Sequence, residues 1–411
     1  VGAALALMLT VACPPLMAET AVPQAPVSSA GEGEALSVRV GYVGRRYPEP
    51  EPLSLVDKVV IDQGIQGARI ALDEDNRTGR LIRHEYSLTE KLVAAQESPG
   101  AAAVELLRSG VKLIVADLEA ADLLELADMP EAKDAIILDV RTMDDSTRGA
   151  DCRGNVFHVR PSRAMKADAL AQYLVWKRWQ RWLLVVGTKP NDIAFAAAIR
   201  RAAGRFGARI VDERSYTFQA GSRRTDTGHQ QIQTQMPLVT QGAAAHDVII
   251  VADEDETFGE YVMFRSSEPR PVAGTHGLIA TAWHRSFEEY AATQMQNRFE
   301  RRANRFMTER DYAGWLAVRI IGEAVTRIGR ADAPAIRDYL RSPAFEVAGF
   351  KGLGLDFRTW DQQLRQPVLI AGPRAMVSIS PQEGFLHQRH TLDSLGIDEN
   401  ESKCRIDKST Q

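Results

Sequence analysis

From Val38 onward, short apolar runs alternate with amphipathic stretches, and a chain with this rhythm is confined to βαβ units: a parallel sheet with helices on both faces. The runs are VRVGYVG at 38–44, HEYSLT near 84–89, KLIVAD at 112–117, AIILDV at 135–140 and NVFHVRP at 155–161, with helices predicted near 56–77, 99–109 and 119–128. The rhythm then starts again. Helices at 163–178, 192–206 and near 226–241 separate WLLVVG at 182–187, ARIVDERSYTF at 208–218, DVIIVAD at 247–253 and PVAGTHG at 271–277. Two successive α/β halves are therefore visible. Beyond them lie a long helical stretch at 286–329, a helix at 332–341 and strand-like segments at 354–357 and 367–372. These are too few for a third domain and are expected to be shared back onto the two halves.

Composition narrows the function classes. Of 411 residues, 45% are hydrophobic, and 50 Lys+Arg face 54 Asp+Glu for a net charge of −4. That is too apolar for a disordered chain and too balanced for a polybasic nucleic-acid binder. Forty of the basic residues are Arg and only ten Lys. The excess is read either as codon usage or as guanidinium groups facing a carboxylated or phosphorylated ligand, where a planar fork exceeds a point charge. Residues 1–18 carry no charge and end in Leu16-Met17-Ala18, which reads as a secretory signal cleaved after Ala18, with lipidation at Cys13 as the alternative. Residues 19–36, rich in Pro, Ala, Ser, Gly and Glu, read as a flexible leader. Only Cys152 and Cys404 remain in the mature chain, and two cysteines in an exported protein suggest one disulfide. No other segment has the apolar length of a membrane span.

The order and spacing of several segments resemble the type I periplasmic solute-binding proteins, which include the branched-chain amino acid binders of ABC transporters. GYVG at 41–44 is similar to the opening strand and loop, QGARIALDEDNRTGR at 66–80 to the first helix ending in an Asn-x-x-Gly turn, and the stretch 155–187 to the crossover between lobes. Segments 206–218, 312–327 and 350–357 resemble three further parts. The crossover with Cys152, Trp176 and Trp179, and the tail FLHQRHTLDSLGIDENESKC at 385–404, resemble the subfamily accompanying pyrroloquinoline quinone-dependent alcohol dehydrogenases. The resemblance implies a two-lobed fold, each lobe a doubly wound, mostly parallel sheet, joined by three crossovers near 159–162, 279–285 and 341–350. Lobe 1 is expected at 37–160 plus 285–342, lobe 2 at 161–284 plus 343–385, and a tail at 386–411. It further implies a monomeric periplasmic component of ABC-type uptake that docks on a permease and closes on pyrroloquinoline quinone as bound ligand, with no catalytic cofactor. A small aliphatic acid, an alcohol-derived metabolite or an amino acid is the alternative ligand, and a sensor or adaptor without a transport role the alternative function.

Ligands of open α/β sheets bind beyond the carboxyl ends of the strands. The residues standing there are Arg45, Arg46 and Tyr47, Asp117, Arg141 and Thr142 in the first half, and Lys189, Asp192, Trp283 and His284 in the second. Amino acid binders of the family read a carboxylate with hydroxyls in loops matching 117–120 and 141–144. Here the first of these is Asp117-Leu118-Glu119-Ala120, acidic and without a hydroxyl. The quinone, flat and tricarboxylated, calls for Arg or Lys partners and an aromatic face: Arg45, Arg46, Arg141 and Lys189 for charge, Tyr47 and Trp283 for stacking. Structural readings stand beside these. Arg45 and Arg46 are equally a solvated pair beside an acidic, Pro-rich turn, Arg141 an ion-pair partner of Asp144 or Asp145, Trp283 a core residue, and Asp253 to Glu256 a solvated run or a cation site. There is no Gly-x-Ser-x-Gly elbow, no His-Glu-x-x-His and no Walker loop, so catalysis is not expected.

Overall fold

The computed structural model describes residues 35–49, 59–217 and 227–406. The expected signal, Cys13 and nearly all of the leader lie outside them. The first sheet is built from β1 (Leu36–Arg45), β2 (His84–Val93), β3 (Leu113–Asp117), β4 (Ile136–Asp139) and β5 (Val156–His158), in spatial order β2-β1-β3-β4-β5 and parallel throughout. Helices α1 (Ile65–Ile82), α2 (Pro99–Arg108) and α3 (Ala120–Ala127) connect its strands. Every residue of β3 and β4 is buried, the mark of a parallel sheet covered on both faces.

The chain crosses after β5 into α4 (Arg163–Trp176), β6 (Arg181–Gly187), α5 (Pro190–Phe206), β7 (Arg209–Tyr216), α6 (Thr227–Thr240), β8 (Val248–Ala252), α7 (Gly259–Arg265), β9 (Val272–Gly274) and β10 (Leu278–Thr281). It crosses back into α8 (Ala292–Ala303), α9 (Glu309–Ile328) and α10 (Ala333–Leu340), forms the small antiparallel pair β11 (Val347–Ala348) and β12 (Gly354–Leu355), and returns as β13 (Val368–Ala371) and β14 (Met376–Ser380). The second sheet runs β14-β13-β10-β9-β8-β6-β7, parallel except that β13 pairs antiparallel with β10 and β14.

Each sheet carries a core on both faces. One face of the first packs on α1, α9 and α10 through residues such as Val38, Val115, Leu316 and Ile320, and the other on α2 and α3 through Ile114, Leu106 and Leu123. The second sheet is covered by α4 and α5 on one side and by α6 and α7 on the other. Helices α1 and α9 approach closely because Gly67 and Gly314 are where they touch: a Cβ on Gly67 would run into the Asp311 carbonyl, and one on Gly314 into that of Gly64.

Several boundaries differ from those expected. The first helix covers 65–82, not 56–77, and the Asn-x-x-Gly motif lies inside it. Its Asn76 amide exchanges two 2.8 Å hydrogen bonds with the Tyr86 backbone of β2, and the turn comes at Arg83 in the left-handed region (φ 58°). The stretch 286–329 is two helices, because Asn304 closes α8 in the left-handed conformation and Thr308 starts α9 with a capping box to Asp311. Elements α7 and β14 are additional to the expected ones. Val347, Leu355, Phe357 and Leu364 still pack in the first lobe, so the third crossing falls just before β13 and not at 341–350. Cys152 and Cys404 form a disulfide across 252 positions. No helix among the described residues is long and apolar enough to cross a membrane.

Candidate functional site

The carboxyl ends of both sheets face one cleft of about 600 Å³. Its walls come from the loop after β4 (Arg141 to Asp144), the loop after β8 (Asp253 to Glu256), the β9 and β10 ends, and the first turns of α4 and α9. The two helix starts contribute the most connected charges. Ser162 caps α4 by accepting from the Met165 N–H, which presents Arg163 at the first helical position. Its guanidinium, 5% exposed, donates to Asp144 of the first lobe at 2.8 Å and to Glu254 of the second at 2.7 and 2.9 Å, with Asn191 at 3.0 Å. One side chain thus spans both lobes.

Glu309, first residue of α9, does the same with opposite charge. One carboxylate oxygen accepts from Lys166 at 2.6 Å and from Arg160 at 2.7 and 3.0 Å, and the other from the Ala282 N–H at 2.6 Å. Burial alone would raise this carboxyl, but Lys166 and Arg160 hold it far below the ordinary carboxylate range. Burial lowers Lys166, against the pull of Glu309. Next in α9, Arg310 donates to Glu49 at 2.8 Å, while its Nε has no partner. Burial would raise Glu49, but Arg310 and Arg141 bring it below its usual value.

The sequence-predicted residues divide sharply. Arg141 and Thr142 line the cleft. Arg141 donates to Asp117 and Glu49, both at 3.3 Å, and lies over the Tyr47 ring at 4.4 Å, so Asp117 and Tyr47 support it from behind. The Thr142 hydroxyl bonds Asp144 at 2.9 Å. Asp117 also accepts from the Tyr42 hydroxyl at 3.0 Å, which leaves its charge engaged and not aimed at a ligand. The others stand away from the cleft lining. Arg45 is held by Asp122 and the Ala95 carbonyl, and Arg46 is exposed on the surface. Lys189 reaches Asp255 at 3.4 Å. Asp192 closes the start of α5, accepting from the Lys189 and Glu254 N–H groups, and burial raises its carboxyl to about 6. Trp283 stacks on Tyr312 at 4.8 Å inside the first core, so its faces are already covered. His284 turns to Ser286 at 2.6 Å. Of the acidic run, Asp253 is buried and folds back onto the N–H groups of Thr257, Phe258 and Gly259.

Two mostly parallel α/β lobes with three crossings and a cleft between their carboxyl ends define the architecture. The fold is that of a two-lobed type I periplasmic binding protein. The chain is similar over 90% of its length to a branched-chain amino acid ABC transporter periplasmic ligand-binding protein from Burkholderia xenovorans, covering all of that chain at a TM-score of 0.67 and 16% identity. It covers 99% of a branched-chain amino acid transporter substrate-binding protein from Streptococcus pneumoniae in complex with isoleucine (84% of this chain, TM-score 0.61, 14% identity). It also covers 99% of an ABC transporter substrate-binding protein from Desulfitobacterium hafniense in complex with Leu (84% of this chain, TM-score 0.59, 16% identity). A family model described as periplasmic binding protein matches residues 65–250, from α1 into β8 and so across both lobes. No curated protein matches the chain in sequence. Within this binding-protein fold, Arg163, Lys166, Glu309 and Arg310 are the residues that a search behind strand ends does not reach. The signals that mark them are the Arg-Pro-Ser-Arg and Thr-Glu-Arg-Asp helix starts at 160–163 and 308–311.

Proposed function

We propose that this protein is the periplasmic solute-binding component of an ABC-type uptake system and that its cleft closes on a small dipolar molecule of the amino acid class. The observation that carries this reading is the interleaving of charge in the cleft wall: five cationic side chains and eight carboxylates, with Phe195, Met143 and Ile279 supplying an apolar patch. A wall of both signs suits a ligand of both signs, and a polyanion meets more repulsion than attraction there. Within the acidic loop at 117–120, Asp117 is occupied by Tyr42 and Arg141, and Glu119 at the cleft stands 4.0 Å from the Arg141 guanidinium, where it suits the cationic end of a dipolar ligand. Solved relatives with this fold carry isoleucine or leucine, which supports the same ligand class.

Pyrroloquinoline quinone fits less well. The cleft cations carry carboxylate partners, and Trp283, expected as its stacking face, is used in the core. Thermal unfolding with a panel of branched, acidic and basic amino acids, short aliphatic acids and the quinone separates the readings. A ligand at a hundredfold excess over its Kd adds about 2.7 kcal/mol to the folded state. The expected result is a raised melting temperature with at least one amino acid, abolished by Arg310→Ala. A response to the quinone or to aliphatic monocarboxylates alone overturns the amino acid assignment, and no response to any of them favours a sensor or adaptor.

A further inference from the structure

The tail beyond β14 is not a loose end. Leu392 and Leu395 are buried, and residues 391–396 are bonded into the second lobe. The Gly396 N–H donates to Asp168 of α4 at 2.8 Å, its carbonyl accepts from Arg205 of α5 at 2.5 Å, and Gln172 of α4 reaches Ser394 at 3.3 Å. The same segment clasps the third crossing. Arg358, 1% exposed, donates to Asp393 at 3.1 Å and to the Leu395 carbonyl at 2.5 Å, and Arg365 donates to Asp393 at 2.7 and 3.0 Å. Eight residues later the chain is in the other lobe. Cys404 is bonded to Cys152, in the loop that enters β5, whose neighbour Arg153 pairs with Asp128 behind α3. Gly154 lies beneath Ile406 and gives its carbonyl to Arg341 at 2.8 Å.

The three crossings themselves lie close together. Gln363 of the third donates to the His158 and Arg160 carbonyls of the first at 3.2 and 3.1 Å, Gln366 donates to Val159 at 2.7 Å, and Glu309 joins the first to the second. Strands bundled this way leave a hinge free to rotate and twist. A tie beside that bundle, held to α4 and α5 at one end and to the loop entering β5 at the other, changes this, because rotations that separate its two anchors are limited by its length. Eight residues span at most about 29 Å, and part of that reach is taken up by the helical turn at Glu399–Glu401.

We propose that the segment from Gly396 to Cys404 is a fourth link between the lobes, closed by the disulfide, that narrows the range of interlobe angles whatever the cleft binds. In a Cys13→Ser background, spin labels at exposed positions Ala101→Cys on α2 and Ala197→Cys on α5 report the interlobe distance distribution by pulsed electron resonance. The proposal expects the unliganded distribution to at least double in width in Cys152→Ser/Cys404→Ser. An unchanged distribution in that variant, with its circular dichroism native, overturns it. Should the double variant fail to fold, a Gly-Ser-Gly-Ser insertion between Glu401 and Ser402 keeps the bridge and lengthens the link. Broadening then supports the proposal, and an unbroadened distribution refutes it.

Discussion

Lys351 is a lysine in an unusual place. Its side chain is buried between the second and third crossings, donating to the Ala282 carbonyl and, at 3.4 Å, to that of Pro367, with its ammonium over the Tyr312 ring at 5.1 Å. Burial lowers its pKa to about 7, with Glu309 pulling the other way. The unfolded chain keeps this proton to about pH 10.4, so between pH 7 and 10 the unfolded state binds more protons and stability rises with pH. The urea midpoint of Lys351→Met should therefore gain on the wild type at pH 6 and lose that advantage by pH 10. Parallel pH profiles for the two proteins would remove the titration from this account. Glu309, also lowered on folding, gives a slope of the same sign in acid: its contribution is complete above the ordinary carboxylate range and is lost as the pH falls from there toward its own far lower value.

At the scale of elements, the contact between α1 and α9 sets the first lobe's packing. Gly67→Ala places a methyl against the Asp311 carbonyl, where the neighbour is backbone and cannot swing away, so the two helices must separate. A cost of about 2–3 kcal/mol in chemical denaturation is expected, at the upper end of overpacking, while Gly204→Ala on α5, which meets nothing within 4 Å, should be neutral or stabilising. The same scale shows what sequence reading could reach. Strands β3 and β8 announce themselves as unbroken apolar runs because both faces are covered. Strand β14 does not, since four of its five residues are partly or fully exposed, and α7 has only seven residues in which to show a period. The cleft was half legible for a related reason. Strand ends led to Arg141 and Thr142, but Arg163, Glu309 and Arg310 sit in helix starts, where a charged residue is usually solvated and its tertiary partners lie far along the chain.

The whole molecule depends on contacts between distant parts of the chain. Arg358 is the clearest case, since removing its guanidinium leaves Asp393 and the Leu395 carbonyl short of a donor. Arg358→Met is expected to cost about 3–5 kcal/mol, the range for stripping one partner from a buried pair, read as a shift of the guanidinium chloride midpoint. The distant pairing of α1 with α9 also sets a timetable. The Gly64 N–H meets the Asp311 carboxylate at 2.8 Å across 247 positions. A chain that emerges N-terminus first, from a ribosome or through a pore, shows the inner stripe of α1 long before α9 can cover it. About three quarters of the residues must be out before that stripe is hidden. The lobe that is begun first is thus finished late, and a growing chain halted short of Asp311 is left with a sticky, half-clad sheet that a chaperone can hold.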